Sequence, residues 1–146
     1  MDTTVAPQVP AVTPARHRTY VIGACSTAIA VGGALWAVLK SGNADQSQLD
    51  SLAYVLVAAL IVGVVLFAWL VPSRIAAGGT GLPFALVSIP LLYAFWSGIP
   101  LLIGVAAILI GAAHRQTRRP KPRRAAASIV VGSLVAVLTV AAILFG

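Results

Sequence analysis

Acidic residues are almost missing from this chain. Asp2, Asp45 and Asp50 are the three carboxylates among 146 residues, and there is no glutamate. General acid–base catalysis with paired carboxylates therefore has no material beyond Asp45 and Asp50, five positions apart in a polar loop. A proton-coupled pump needs a titratable group at membrane depth. The long apolar runs offer none, with His17 and His114 falling at their edges. Cysteine is equally scarce. Cys25 stands alone, which rules out an intrachain disulfide, and it reads as a small buried apolar residue. Two isolated histidines without clustered Cys, Asp or Glu do not make a metal site. The glycine-rich run Gly78-Gly79-Thr80-Gly81 lacks the lysine and the strand–helix setting of a phosphate loop, so it reads as a flexible connection. A nucleophile elbow is also missing. No cofactor, no metal and no enzymatic activity are expected.

What the chain has in abundance is apolar surface. Sixty per cent of its residues are hydrophobic and 9% are charged, against roughly 25% charged in a soluble domain. The charges lie outside the apolar runs, which predicts an integral membrane protein. The net charge of +7 does not point to nucleic acid. Basic residues flanking apolar spans carry the positive-inside signal instead.

The most informative segment is Arg115 to Arg124 (RQTRRPKPRR), which holds six of the ten Lys and Arg residues: Arg115, Arg118, Arg119, Lys121, Arg123 and Arg124. Residues 1–19 carry three prolines and end in the basic group Arg16, His17 and Arg18, which predicts a disordered cytoplasmic tail with a basic anchor. Five spans are predicted after it, at about 20–39, 52–71, 78–96, 99–114 and 125–145, each near the length that crosses a bilayer as a helix. Pro72 and Arg74 are expected to end the second.

The run Leu82–Ala113 has no charge and is too long for one crossing. Two observations divide it. Thr80-Gly81-Leu82-Pro83 and Ser97-Gly98-Ile99-Pro100 share a hydroxyl-Gly-aliphatic-Pro pattern. Proline is tolerated in a first helical turn, and a hydroxyl before it can cap the free donors. Two crossings also keep Arg115–Arg124 on the same side as Arg16, Arg18 and Arg74, as the positive-inside rule requires. The alternative is one long helix kinked at Pro90. Aromatics agree with five spans. Tyr20 and Trp69 fall at one predicted interface, and Trp36, Tyr54, Tyr93 and Trp96 near the other.

The predicted fold is therefore an all-α polytopic transmembrane bundle in a bacterial inner membrane, with its N-terminus in the cytoplasm. Four spans result if Leu82–Ala113 crosses once, or if the first span is a signal cleaved at the small residues Gly42-Asn43-Ala44. Small residues recur along the spans: Ala24, Ala28 and Gly32 in the first, Gly104 and Gly111 in the fourth, Ser128, Gly132 and Ala136 in the fifth. Such rows let membrane helices approach closely. They serve packing within the chain or contact with a second copy or another membrane protein. The basic segment is a topology signal, and it is also a candidate contact for anionic lipid or an acidic partner.

Residues Ile103 to Gly132 (IGVAAILIGAAHRQTRRPKPRRAAASIVVG) resemble a two-span, glycine-rich domain of unknown function found in small actinobacterial membrane proteins. Gly104 and Gly111 match its first helix, Arg115 to Arg124 its basic loop and Gly132 its second helix. Ser128 stands where that family usually has glycine, and the loop lacks the family's glycine. The resemblance implies a membrane protein and no particular activity. Together these readings predict a small accessory or structural membrane protein acting through helix packing or its basic loop. The alternative is an oligomeric permease or channel component built around the proline-broken span 78–96.

Overall fold

The computed structural model describes residues 13–41, 46–116 and 122–145, and every regular element among them is helical. Helix α1 (Thr13–Ser41) is followed by α2 (Gln46–Val64), which runs on through a π-helical stretch (Val65–Leu70) into α3 (Val71–Ala76). Then come α4 (Leu82–Leu91), a 3₁₀ stretch (Leu92–Ser97), α5 (Ile99–Gln116) and α6 (Pro122–Phe145). Four stretches are long and apolar enough to cross a membrane, namely His17–Trp36, Leu49–Ala76, Ile99–Gln116 and Pro122–Phe145, while Leu82–Ala94 is a shorter apolar helix. The chain is an all-helical membrane-spanning bundle.

The run Leu82–Ala113 is indeed broken in two. Gly98 adopts φ +68°, a left-handed conformation that a side chain resists. Ser97 helps on both sides of the turn. Its hydroxyl donates to Ala94 O at 2.7 Å and accepts from Ile99 N at 3.3 Å. The equivalent expectation fails at Thr80, because no side chain caps α4 among the described residues.

Three boundaries differ from the sequence reading. Helix α1 starts at Thr13, within the stretch expected to be a tail. Pro14 sits in its first turn, where the missing N–H is not needed. Pro72 does not end the second span; the helix passes it and continues to Ala76. A proline ring clashes with the carbonyl four residues back and removes a hydrogen bond. Here the turn before it is widened, so that Val71 N–H bonds to Leu66 O, five residues back. The third predicted span starts at Leu82 and not at 78. Gly78, at φ +74°, ends α3: Gly78 N–H bonds to Ile75 O at 3.0 Å and Gly79 N–H to Arg74 O at 2.8 Å. These two bonds satisfy the last carbonyls of the helix in a Schellman arrangement.

Helix α5 is central. Half of its membrane window is buried (50%), against 28%, 28% and 22% for the windows on α1, on α2–α3 and on α6. It packs closely on α6. A Cβ on Gly132 would come within 2.6 Å of Gly104 O, and one on Gly104 within 2.9 Å of Gly132 O. Two turns on, a Cβ on Gly111 would meet Ser128 Oγ and would lie 2.9 Å from Ala125 O. This reciprocal exclusion brings the two backbones into contact. Gly104, Gly111, Ser128 and Gly132 are buried and Ala136 is half-buried, so this row is occupied within the chain.

Helices α1 and α2 also run antiparallel, with Gly23 against Phe67 and Gly63 against Thr27. The row Ala24, Ala28 and Gly32 lies elsewhere. All three residues are exposed, and a Cβ on Gly32 would meet nothing within 4 Å. The face turned inward is one position away, through Gly23, Thr27, Ala30 and Ala34. Cys25 is exposed, not buried as expected. At about 100° per residue, two positions from Gly23 turn it to the far side of α1.

The α4–α5 hairpin is shorter than the α1–α2 hairpin. The 3₁₀ stretch rises more per residue than an α-helix, so ten α-helical and six 3₁₀ residues extend about 27 Å, as do the 18 residues of α5. Gly98 meets α1 at Ala30, where a Cβ on Gly98 would lie 2.6 Å from the Ala30 Cβ. That contact is six residues, about 9 Å of helix, short of Trp36. Tyr20 and Trp69 do lie at one common level, and Trp36 and Tyr54 at another, all of them exposed. Tyr93, also exposed, belongs to the shorter hairpin and does not reach the level of Trp36.

Candidate anion-binding cavity at the basic end

Charge is distributed unevenly along the bundle. Arg74 follows α2, Arg115 ends α5, and Arg123 and Arg124 open α6. His17 and Arg18 join them, because Gly23 packs on Phe67 and α1 before Gly23 runs beside the turns after Phe67. Lys40 and Asp50 lie toward the other end. At the end of α5, Arg115 complements the helix dipole. Arg123 and Arg124, in the first turn of α6, oppose it at a cost of about 0.3–1 kcal/mol each. Helix stability therefore does not explain their position. Of the six basic residues singled out in Arg115–Arg124, three (Arg115, Arg123, Arg124) are placed here and are exposed. Arg118, Arg119 and Lys121 lie outside the described residues.

A cavity of about 350 Å³ opens at this end, with Arg74, Phe84, Ile110, His114 and Arg124 around the loop Gly78–Gly81. Its size falls in the range of small-ligand sites, about 300–1,000 Å³. The loop is not the loose connection expected from its composition. His114, buried, places Nδ1 3.2 Å from Gly78 O. The Ser128 hydroxyl, fully buried, lies 2.7 Å from Thr80 O and 2.9 Å from Ala125 O and shares its one proton between them. Gly81 approaches so closely that a Cβ there would lie 2.6 Å from Ala107 O. Helices α5 and α6 thus hold both ends of the loop. Arg74 extends over Phe84, its guanidinium carbon 5.9 Å from the ring centroid, a cation–π distance that steadies the side chain.

Four further hydroxyls within the spans are engaged in their own helices. Ser26 donates to Ile22 O and Thr27 to Gly23 O, both at 2.8 Å, Ser88 to Ala85 O at 2.7 Å and Thr139 to Val135 O at 2.8 Å. Among the described residues no buried side-chain nitrogen or oxygen lacks a hydrogen-bond partner, and no group of three potential metal ligands occurs. Two further depressions are apolar. One lies between α1 and α2 and is bordered by Ala24, Ala28 and Phe67. The other lies between α1 and α6, beside Gly32, Trp36 and Ile143.

Reading the sequence missed Arg74 and Thr80 as parts of one place. In the sequence Arg74 reads as a span terminator and Arg124 as part of the basic loop, 50 positions away. The repeated hydroxyl-Gly-aliphatic-Pro pattern was the available signal, since it marks where α4 begins. No protein-family model matches this chain, and no curated protein or solved structure gives a match to it.

Proposed function

We propose that the chain is a non-enzymatic accessory protein of a bacterial inner membrane, with its basic end and N-terminus in the cytoplasm, and that it works by engaging anionic lipid there. The observation that carries this reading is the gathering of Arg18, Arg74, Arg115, Arg123 and Arg124 at one end of the bundle, two of them against the dipole of their own helix. Each such charge near an anionic leaflet contributes about 1 kcal/mol of attraction. The permease alternative gains nothing from α4, where the one polar side chain, Ser88, is buried and bonded to Ala85 O at 2.7 Å.

The test has two parts. Reporter fusions after Ser97, after Arg124 and at Gly146 read orientation: phosphatase activity after Ser97 and at the C-terminus, with fluorescence after Arg124, is expected. Reconstituted protein is then heated in vesicles with and without phosphatidylglycerol. Stabilisation by the anionic lipid that fades with salt is expected, together with solute flux equal to that of empty vesicles. Phosphatase activity after Arg124, solute flux, or indifference to anionic lipid each overturns the reading.

A further inference from the structure

The cavity at the basic end draws positive potential from three sources. Arg74 and Arg124 bring planar guanidinium groups from two different helices, suited to the paired oxygens of a phosphate. The third source is the start of α4. Gly81, at φ +73°, precedes its first turn without a capping side chain among the described residues, and Pro83 takes one of the first N–H groups away. The first turn of α4, with Phe84 on the cavity wall, turns the positive end of the helix dipole toward it. Among the described residues no acidic group neutralises this set. Asp50, the one acid among the described residues, lies on α2 toward the opposite end.

From this arrangement we infer that the cavity binds a single phosphate group, with Arg74 and Arg124 as its charged contacts and the first turn of α4 as its backbone contact. The site deepens the reading of the basic end as a lipid-engaging face, and rests on it. It is not a glycine-rich phosphate loop, since the amides of Gly78 and Gly79 are consumed in closing α3. The loop shapes the cavity instead. His114 and Ser128 hold it from α5 and α6, so the donors stand in position before the anion arrives and little ordering is left to oppose binding. Phe84 and Ile110 form an apolar wall beside the charged groups. A bare ion has no use for such a wall, whereas the carbon skeleton of a phosphate ester does. The phosphate therefore belongs to a phospholipid headgroup or to a free phosphate ester, and the chemistry of the charged contacts is the same for both.

The test uses the full-length protein in a neutral detergent. Binding of short-chain phosphatidic acid and of inorganic phosphate is measured by calorimetry, with oleate as a carboxylate of similar charge. Saturable binding of phosphatidic acid at one site per chain, and weaker or no binding of oleate, are expected. R74Q/R124Q should weaken phosphate affinity by about tenfold or more, because two charge-assisted contacts are lost. R115Q/R123Q removes the same charge from the same end but leaves the cavity intact. It should lower attraction to anionic vesicles in general while keeping saturable phosphate binding. Arg74 and Arg124 are exposed, and an unchanged melting temperature of R74Q/R124Q in neutral detergent checks that the bundle stays folded. Inorganic phosphate that competes fully with phosphatidic acid assigns the site to free phosphate esters. Phosphatidic acid that binds without such competition assigns it to lipid. Equal losses in the two double variants, or equal binding of oleate, overturn the site and leave general attraction to anionic lipid standing. Indifference of the wild-type protein to phosphatidic acid overturns the site, and indifference to phosphatidylglycerol vesicles overturns the wider reading.

Discussion

The α5–α6 pair and the α1–α2 pair are both antiparallel, both apolar and both rich in small residues, yet they pack by different rules. Between α5 and α6 a glycine faces a glycine, and each excludes a side chain from the other: Gly104 against Gly132, with Gly111 against Ser128 further along α5. Between α1 and α2 a glycine receives a side chain, Gly23 taking Phe67 and Gly63 taking Thr27. The first pattern brings backbones together and fixes one register. The second leaves a groove beside Ala24, Ala28 and Phe67. Small residues in a membrane helix thus do not by themselves mark a contact; the residue opposite decides.

The sharpest way to break this comparison is to put a large side chain into the first pair. Gly132→Leu would drive its side chain into Gly104 O, with Ile108 Cγ1 at 3.0 Å and Ala107 Cβ at 3.3 Å from the first added atom. A loss of about 3 kcal/mol or more is expected, read as a collapse of the thermal midpoint in detergent. A midpoint equal to wild type would mean that the seam is not close-packed. Gly98→Ala comes next. Its φ of +68° and the Ala30 Cβ at 2.6 Å act together, for an expected cost of about 2 kcal/mol. Indifference there would separate the α4–α5 turn from α1.

Ser128→Ala tests whether the seam also shapes the cavity. It removes the hydroxyl that lies 2.7 Å from Thr80 O, and about 1 kcal/mol is expected from equilibrium unfolding. Protease cleavage at Gly78–Gly81 should rise in this variant, and unchanged cleavage would mean that Ser128 does not hold the loop. The smallest effect belongs to Gly32→Ala, where a Cβ meets nothing within 4 Å. A change within about 0.5 kcal/mol is expected, and a large loss would show that the outer face of α1 is covered in the membrane.

How much of this was legible in advance varied with the range of the cause. The division of Leu82–Ala113 was legible because Gly98 and Pro100 act on the chain beside them. The spacing of Gly104, Gly111, Ser128 and Gly132 is visible in the sequence, but the residue each one faces is not. The helix end at Pro72 was misread, because a widened turn at Val65–Leu70 absorbs the proline, and a sequence does not announce such a turn. The row Ala24, Ala28 and Gly32 lies on the outer face of α1, and the sequence does not tell that face from the inward one. Gly23, Thr27, Ala30 and Ala34 keep helical spacing as well as Ala24, Ala28 and Gly32 do, and only Phe67 on α2 distinguishes them. The cavity was the least legible, since Arg74, His114 and Arg124 converge only when α3, α5 and α6 are packed.

The contact between Gly98 and Ala30 has a consequence for the lipid. Beside α4 and α5 the bilayer meets an apolar wall of about 27 Å, whereas α1 continues for eleven residues, about 16 Å, past that contact. A bilayer thins beside a short wall and thickens beside a long one, or the helix tilts, at a fraction of a kcal/mol per Å. The helix length that the protein offers to the lipid therefore varies around its circumference and is shortest where the α4–α5 hairpin lies.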